Sequence, residues 1–370
     1  MAESENKQGS LVLNQPLEFS GNIFIYYAFD IGDDINLEKI ETLPGIIARP
    51  LKISKHFKGY HVPLAIDLPH PHSSSRCIGV KIYNFGVISL IYQIPFSQTT
   101  LLNLRTNLSL LDSEFSEQSV EDAHSVFKQI KNHIKQARFF HLRTSYFVVQ
   151  VDQQPELVTV SDLKKNNGGV IASLLRFETE SLSEYQKNEI LDSAMGYYRG
   201  DLIIIDTDSA FVYDDEYTEI LDLFEFANIQ HVELQYYDRV LDQQLNKVYQ
   251  RELGAPALKS YIPLLSIFTK DPVTALGLLR VEISVIIERL ESTLKATAEA
   301  YVTETYDLLA EKLELKSWKD SIDKKLEIIK DIYQVHQNKI DVNKEDLLSV
   351  LIIILIFIEL IIGILSYMKG

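Results

Sequence analysis

The sequence predicts an α+β body, made of two related ferredoxin-like or split-βαβ units, that continues into a long helical hairpin stalk and one C-terminal transmembrane helix. Three observations carry this fold class. Strand-like and helix-like apolar runs alternate as far as residue 256. From Thr274 the apolar residues recur at spacings of three and four. From Leu347 to Tyr367 the chain is almost continuously apolar. The expected organisation is a flexible lead-in (1–20), α+β units at 21–138 and 139–256, a stalk at 272–342 and a membrane helix at 347–367.

In the first unit, Asn22 to Phe29 (NIFIYYAF) reads as a strand and Asn36 to Leu43 as a short helix. Pro44, Gly45 and Pro50 interrupt the chain, and His56 to Ser75 is a loop-rich segment holding Pro63, Pro69 and Pro71. Ile78 to Tyr83 and Val87 to Ile94 are expected strands around Asn84-Phe85-Gly86, followed by helices at Ser97 to Leu110 and Val120 to Ala137. In the second unit, Phe139 to Val151 and Val170 to Phe177 read as strands. Asn166-Asn167-Gly168-Gly169 between them is a turn signal. A helix is expected over Leu182 to Tyr198, strands at Leu202 to Ile205 and Ala210 to Tyr213, and a helix over Glu216 to Glu252. Both units contain a strand, a tight link, a second strand and a helix, and the inferred kinship rests on that rhyme.

The stalk follows from two apolar seams. One is Leu276, Leu279, Ile283, Ile286, Leu290 and Leu294. The other is Trp318, Ile322, Leu326, Ile329 and Tyr333, continuing to His336 and Ile340. With Glu314 to Ser317 as the link, they form an antiparallel hairpin, and a homo-oligomer seam is the rival use of the same residues.

Leu347 to Tyr367 contains 21 residues, about 30 Å of α-helix and so the thickness of the hydrocarbon layer. Asn343 with Asp346 reads as a helix start outside the bilayer, and Lys344 and Lys369 bracket the span. The expectation is a tail-anchored, single-pass protein of the inner (cytoplasmic) membrane with its body in the cytoplasm. Glu359 lies inside the span, where a charged carboxylate costs about 2.5–3.5 kcal/mol. Gly363 and Ser366 share its face, so Glu359, Gly363 and Ser366 are the candidate helix-packing residues, with snorkelling of Glu359 as the plain alternative.

The formal charge is −16, and between Asp201 and Gln250 twelve acids face two bases, Arg239 and Lys247. Such a segment repels phosphate backbones, which argues against direct nucleic-acid binding and for a basic protein partner. Arg49, Lys52, Lys55 and Lys58 are read as a solvated face. Cys77 is the only cysteine, so neither a disulfide framework nor a thiolate cage is expected, and the thiol reads as buried and inert.

Phosphate-loop, dinucleotide and nucleophile-elbow spacings are absent. His56, His61, His70 and His72, with Asp67, are the densest ligand candidates, yet they sit in a proline-broken loop and are read as surface histidines. The acids Asp206, Asp208, Asp214, Asp215 and Glu216 are read as turn-forming and helix-start residues. Neither a cofactor nor an enzymatic activity is expected.

Ile82 to Leu90 (IYNFGVISL) resembles the glycine-containing strand near the start of the YagE-type family, also called the "required for meiotic nuclear division" or sporulation-protein family. The order of Leu313 to Lys339, then Leu348 to Leu360 with Glu359 at the acidic position, is similar to that family's closing helices. Leu221 to Tyr249 resembles a bacterial branch. The resemblance implies no enzymatic activity. Its eukaryotic branch implies a mitochondrial inner-membrane protein linked to organellar translation, and the lack of a presequence here points to the bacterial branch. The functional expectation is a non-enzymatic, oligomeric membrane scaffold or tether. Its rivals are an acidic docking module for a basic partner, such as a ribosomal or membrane complex, and a metal-dependent enzyme using the His56–His72 loop.

Overall fold

The computed structural model describes residues 17–44, 46–49, 64–66, 76–139, 143–154, 156–250, 277–281, 283–284 and 300–369. They fall into two compact units. One holds the described residues up to Val232 together with 300–313, and the other holds 233–250, 277–284 and 314–369.

The first unit is built on one mixed sheet with the order β2-β3-β4-β5-β1-β6-β9-β8-β7. The strands are β1 (Phe19–Asp30), β2 (Ala48–Arg49), β3 (Leu64–Ile66), β4 (Cys77–Ile82), β5 (Val87–Thr99), β6 (Arg143–Val151), β7 (Ala194–Met195), β8 (Leu202–Ile205) and β9 (Ser209–Tyr213). The helices of this unit are α1 (Leu37–Glu41), α2 (Leu101–Ile130), α3 (Val160–Leu175), α4 (Glu184–Leu191), the start of α5 (Thr218–Gln250) and α6 (Ala300–Lys312).

Strand β1 lies near the centre because both its faces are apolar. Ile23, Ile25, Tyr27 and Phe29 join Leu104, Leu108 and Phe115 of α2 and Leu163, Ile171 and Leu174 of α3 in one core. Phe24, Tyr26 and Ala28 are buried on the opposite face. There the α5 side chain of Asn228 donates to Tyr26 O at 3.3 Å, and Phe224 stacks on Tyr146 of β6 with centroids 5.3 Å apart. The result is an α/β/α sandwich, consistent with the α+β expectation at the coarse level.

Both halves of the body enter this one sheet through the β1–β6 pair. The rhyme survives as strand–link–strand–helix in β4–β5–α2 and β8–β9–α5, but β5 runs antiparallel to β1 whereas β9 runs parallel to β6. At the β4–β5 link, Gly86 has φ +119°, and a Cβ there would meet Gly32 O at 1.8 Å.

Several elements differ from expectation. The two helices expected at Ser97 to Leu110 and Val120 to Ala137 are one, α2, capped by Thr100 accepting from Asn103 N at 3.2 Å. Residues 112–118 contain neither Gly nor Pro, and Phe115 among them is fully buried, so nothing interrupts the helix. The strand expected at Val170 to Phe177 is instead the end of α3, and the Asn-Asn-Gly-Gly turn signal lies inside that helix. Gly168 is used for close packing, since a Cβ there would meet Leu191 Cδ1 of α4 at 2.8 Å. The chain leaves α3 at Phe177, with φ +55°. Helix α4 is shorter than expected because β7 begins at Ala194, and a short strand, β3, stands in the expected loop.

The link expected at Glu314 to Ser317 is a turn at Leu313 and Glu314, the latter with φ +53°. Helix α7 (Leu315–Lys369) then runs unbroken for 55 residues. The helix start expected at Asn343 is absent because that cap-like pair lies mid-helix, with helix-forming neighbours on both sides.

Candidate functional site

The apolar end of α7 contains a candidate membrane span at Leu348–Met368, with mean hydropathy 3.2 and every one of its described residues exposed. Glu359, Gly363 and Ser366 lie on it and are exposed, and Gly363 has open space where a Cβ would stand.

The N-terminal part of α7 presents the second predicted seam. Ile322, Leu326 and Ile329 are buried, while Trp318 and Tyr333 are partly buried. Asp238 of α5 accepts from Ser321 Oγ at 2.7 Å and from Lys325 Nζ at 2.7 Å, and Lys325 also pairs with Asp242 at 2.7 Å. Burial opposes the Lys325 charge, but these two carboxylates outweigh it and hold the pKa above the ordinary lysine value. Of the first seam, Ile283 is fully buried and Leu279 partly so, while Leu276, Ile286, Leu290 and Leu294 lie outside the described residues. Gly277 approaches the Tyr333 ring, which a Cβ would meet at 3.6 Å, so part of the seam is filled within the chain.

The histidines of the His56–His72 loop also lie outside the described residues, and no group of three or more metal-ligand side chains occurs among the described ones. Cys77 is half-buried, its thiol donates to Gly79 O at 3.1 Å, and burial pushes its pKa up to about 12, which makes it unreactive at neutral pH.

The acidic stretch 201–250 is not a uniform surface. Lys81 of β4 reaches Asp222 at 3.2 Å and Glu225 at 2.5 Å, and Glu225 is only 2% exposed. Burial raises the Glu225 carboxyl above its ordinary range, with Lys81 opposing. Asp206, 1% exposed, pairs with Arg176 at 2.5 Å. Together with Asp238 and Asp242 on Lys325, these pairs neutralise or bury much of the local charge. Linear distance hid them, because the three cations come from residues 81, 176 and 325.

Asp201, Asp214, Asp215 and Glu216 differ: none has an ion-pair partner among the described residues. Instead Asp201 accepts from Tyr198 N at 3.0 Å and from Gln153 Nε2 at 2.9 Å. Asp215 accepts from Gln153 N and Asp214 from Glu216 N, both at 2.9 Å. Partial burial raises the Asp214 pKa, with further repulsion from Asp201, Asp215 and Glu216. Beside them Tyr197 meets Tyr198 edge-on at 4.7 Å and Tyr301 of α6 at 5.1 Å. Sequence reasoning missed this aromatic group, because the pairing of residues 197 and 301 is set by the fold. The adjacent tyrosines in a glycine-bounded turn were its only local signal.

A second missed group ties the end of β1 to the chain after α2. Arg138 binds Asp30 through Nε at 3.0 Å and Nη2 at 3.1 Å, and reaches Asp33 at 2.6 Å. Burial raises the Asp30 carboxyl to about 7 against the pull of Arg138. This is a structural clamp, since the bidentate guanidinium occupies both oxygens of a fully buried carboxylate.

The family model described as "Uncharacterized protein MJ0711, N-terminal domain" matches residues 20–219, from β1 into the first turn of α5. The "Uncharacterized protein MJ0711" of Methanocaldococcus jannaschii is 26% identical over 294 residues, covering 78% of this chain and 82% of that protein. No solved structure matches. These findings overturn the expected YagE-type, or "required for meiotic nuclear division", membership. The residues that carried it are a tight β4–β5 hairpin needing Gly86 and an apolar terminal helix, features that unrelated folds share. The chain belongs to the family described as "Uncharacterized protein MJ0711, N-terminal domain".

Proposed function

We propose that the chain is a non-enzymatic membrane scaffold, in which the last part of α7 spans the bilayer and the sheet-based body faces the cytoplasm. The single observation that carries the reading is the continuity of α7 into an apolar window whose described residues are exposed. At 1.5 Å per residue the helix is about 80 Å long, with room for a bilayer span and a solvated strut. An uncovered apolar surface of that size in water would drive association or aggregation, and lipid removes the problem.

The scaffold is oligomeric in this reading. Glu359 needs a partner or a proton in hydrocarbon, and Gly363 lets a second helix approach closely on the same face. Stalk residues that the chain itself leaves uncovered add to the contact. The test is the mass of the full chain in mild detergent over a range of concentrations. Wild type is expected as an oligomer, and Glu359→Leu as a chain that still inserts but assembles more weakly. A wild-type monomer at every concentration contradicts the oligomer. An oligomer unchanged by Glu359→Leu confines the contact to the stalk.

A docking role for a basic partner is the second reading, favoured by the four acids at residues 201 and 214–216 that make no ion pair among the described residues.

A further inference from the structure

We propose that the surface formed by Tyr197, Tyr198 and Tyr301, flanked by Asp201, Asp214 and Asp215, docks an arginine-bearing segment of a partner protein. The inference deepens the docking reading by naming the surface and the chemistry of its occupant. It stands apart from membrane anchoring.

Tyr197 and Tyr198 stand exposed beside the half-buried Tyr301, on a preorganised turn. Tyr197 and Tyr198 are 62% and 68% exposed, although both belong to a turn that the fold holds firmly. The turn is tight: a Cβ on Gly196 would meet Asp201 O at 2.4 Å. Gln153 at the end of β6 ties it down by donating to Gly200 O at 3.2 Å and to Asp201 Oδ1 at 2.9 Å. Single exposed apolar residues need no explanation, but three tyrosines joined through Tyr197, which meets both others, form a patch of the kind enriched at interfaces. Holding such a patch rigid before binding removes part of the ordering cost of association.

The ring geometry selects among cations. Centroids 4.7 and 5.1 Å apart mean that the rings touch one another, so they leave no slot between them for a bulky quaternary ammonium. What remains open are ring faces and edges, which suit a planar guanidinium stacked from outside. The neighbouring carboxylates supply the complementary charge. Asp201, Asp214 and Asp215 are held in place by N–H donors that orient them without neutralising them. Arg199, the cation of the same turn, is exposed and makes no ion pair among the described residues. Burial raises the Tyr301 pKa, and the fields of Asp214 and Asp201 raise it further, so these acids act on the same platform. A phosphate backbone would be repelled here.

The test uses the full chain in non-ionic detergent and a fluorescein-labelled peptide of alternating arginine and glycine, read by fluorescence anisotropy. Wild type is expected to bind, more weakly as salt rises. Tyr197→Ala with Tyr198→Ala, which changes no charge at exposed positions, is expected to weaken binding about 5–30-fold. Tyr197→Phe with Tyr198→Phe should remain within about 2-fold, because the ring faces are kept. Asp214→Asn with Asp215→Asn should weaken binding about 5-fold at low salt. Glu178→Gln with Glu180→Gln removes the same charge from two exposed acids elsewhere and should stay within about 2-fold. The proposal is overturned if wild type fails to bind, if the double alanine variant binds as wild type does, or if the Glu178 and Glu180 pair costs as much as the Asp214 and Asp215 pair.

Discussion

Lys81 shows how a single side chain decides the meaning of an acidic stretch. It stands 141 and 144 residues from Asp222 and Glu225, so counting charges along the chain reads those acids as surface. The fold turns them from α5 toward Lys81 of β4 instead, with Glu225 almost fully buried and Lys81 held above its ordinary lysine pKa by its two partners despite burial. Removing the cation should therefore be costly. We predict that Lys81→Met lowers stability by about 3–5 kcal/mol at pH 8, because a buried carboxylate loses its counter-charge. The Glu225 pKa, already raised by burial, rises further in that variant. Between the unfolded and folded pKa values the native state then holds the extra proton, so its stability falls as pH rises. Denaturant unfolding should show part of the loss recovered at pH 5, whereas an equal loss at both pH values would contradict a buried, unpaired Glu225. The tyrosine platform was illegible for the same reason: Tyr197 and Tyr301 meet only once α6 packs on β8.

Among the elements, those buried on both faces were the most legible. The runs in β1, β6, β8, β9 and the first half of β5 are continuous because both faces of each are buried, and the sequence pattern places them within a few residues. Helix α3 was not legible, because Asn166-Asn167-Gly168-Gly169 carries four poor helix formers and its local preference is for a turn. Tertiary packing overrides it: Gly168 makes room for Leu191, and the apolar side chains of α3 enter the core. Gly169 separates the two interpretations. Its nearest neighbour for an added Cβ is Lys187 Cδ at 3.9 Å, so Gly169→Ala has space. In a helix the substitution should stabilise the protein by about 0.5–1 kcal/mol. Thermal unfolding of the variant checks this, and a loss of stability would place Gly169 in a backbone conformation that alanine resists.

At the scale of the whole molecule, the apolar end of α7 was legible from composition alone, whereas its continuity with the preceding residues from Leu315 was not. Asn343 and Asp346 look like a cap, yet a cap forms only where the preceding residues leave helical geometry, and here they do not. The burial of Ile322, Leu326 and Ile329 follows the spacing, while the Asp238 contacts to Ser321 and Lys325 beside them required the fold. If residues 348–368 lie across a bilayer, as proposed, each has a depth in it that can be measured. With Cys77 replaced by serine, spin labels placed one at a time through Leu351→Cys, Phe357→Cys and Leu365→Cys in reconstituted vesicles report access to oxygen and to a water-soluble nickel complex. A span predicts the highest oxygen access and the lowest nickel access at Phe357, with both relaxing toward Leu351 and Leu365. Nickel access as high at Phe357 as at the two flanking positions would contradict the membrane assignment.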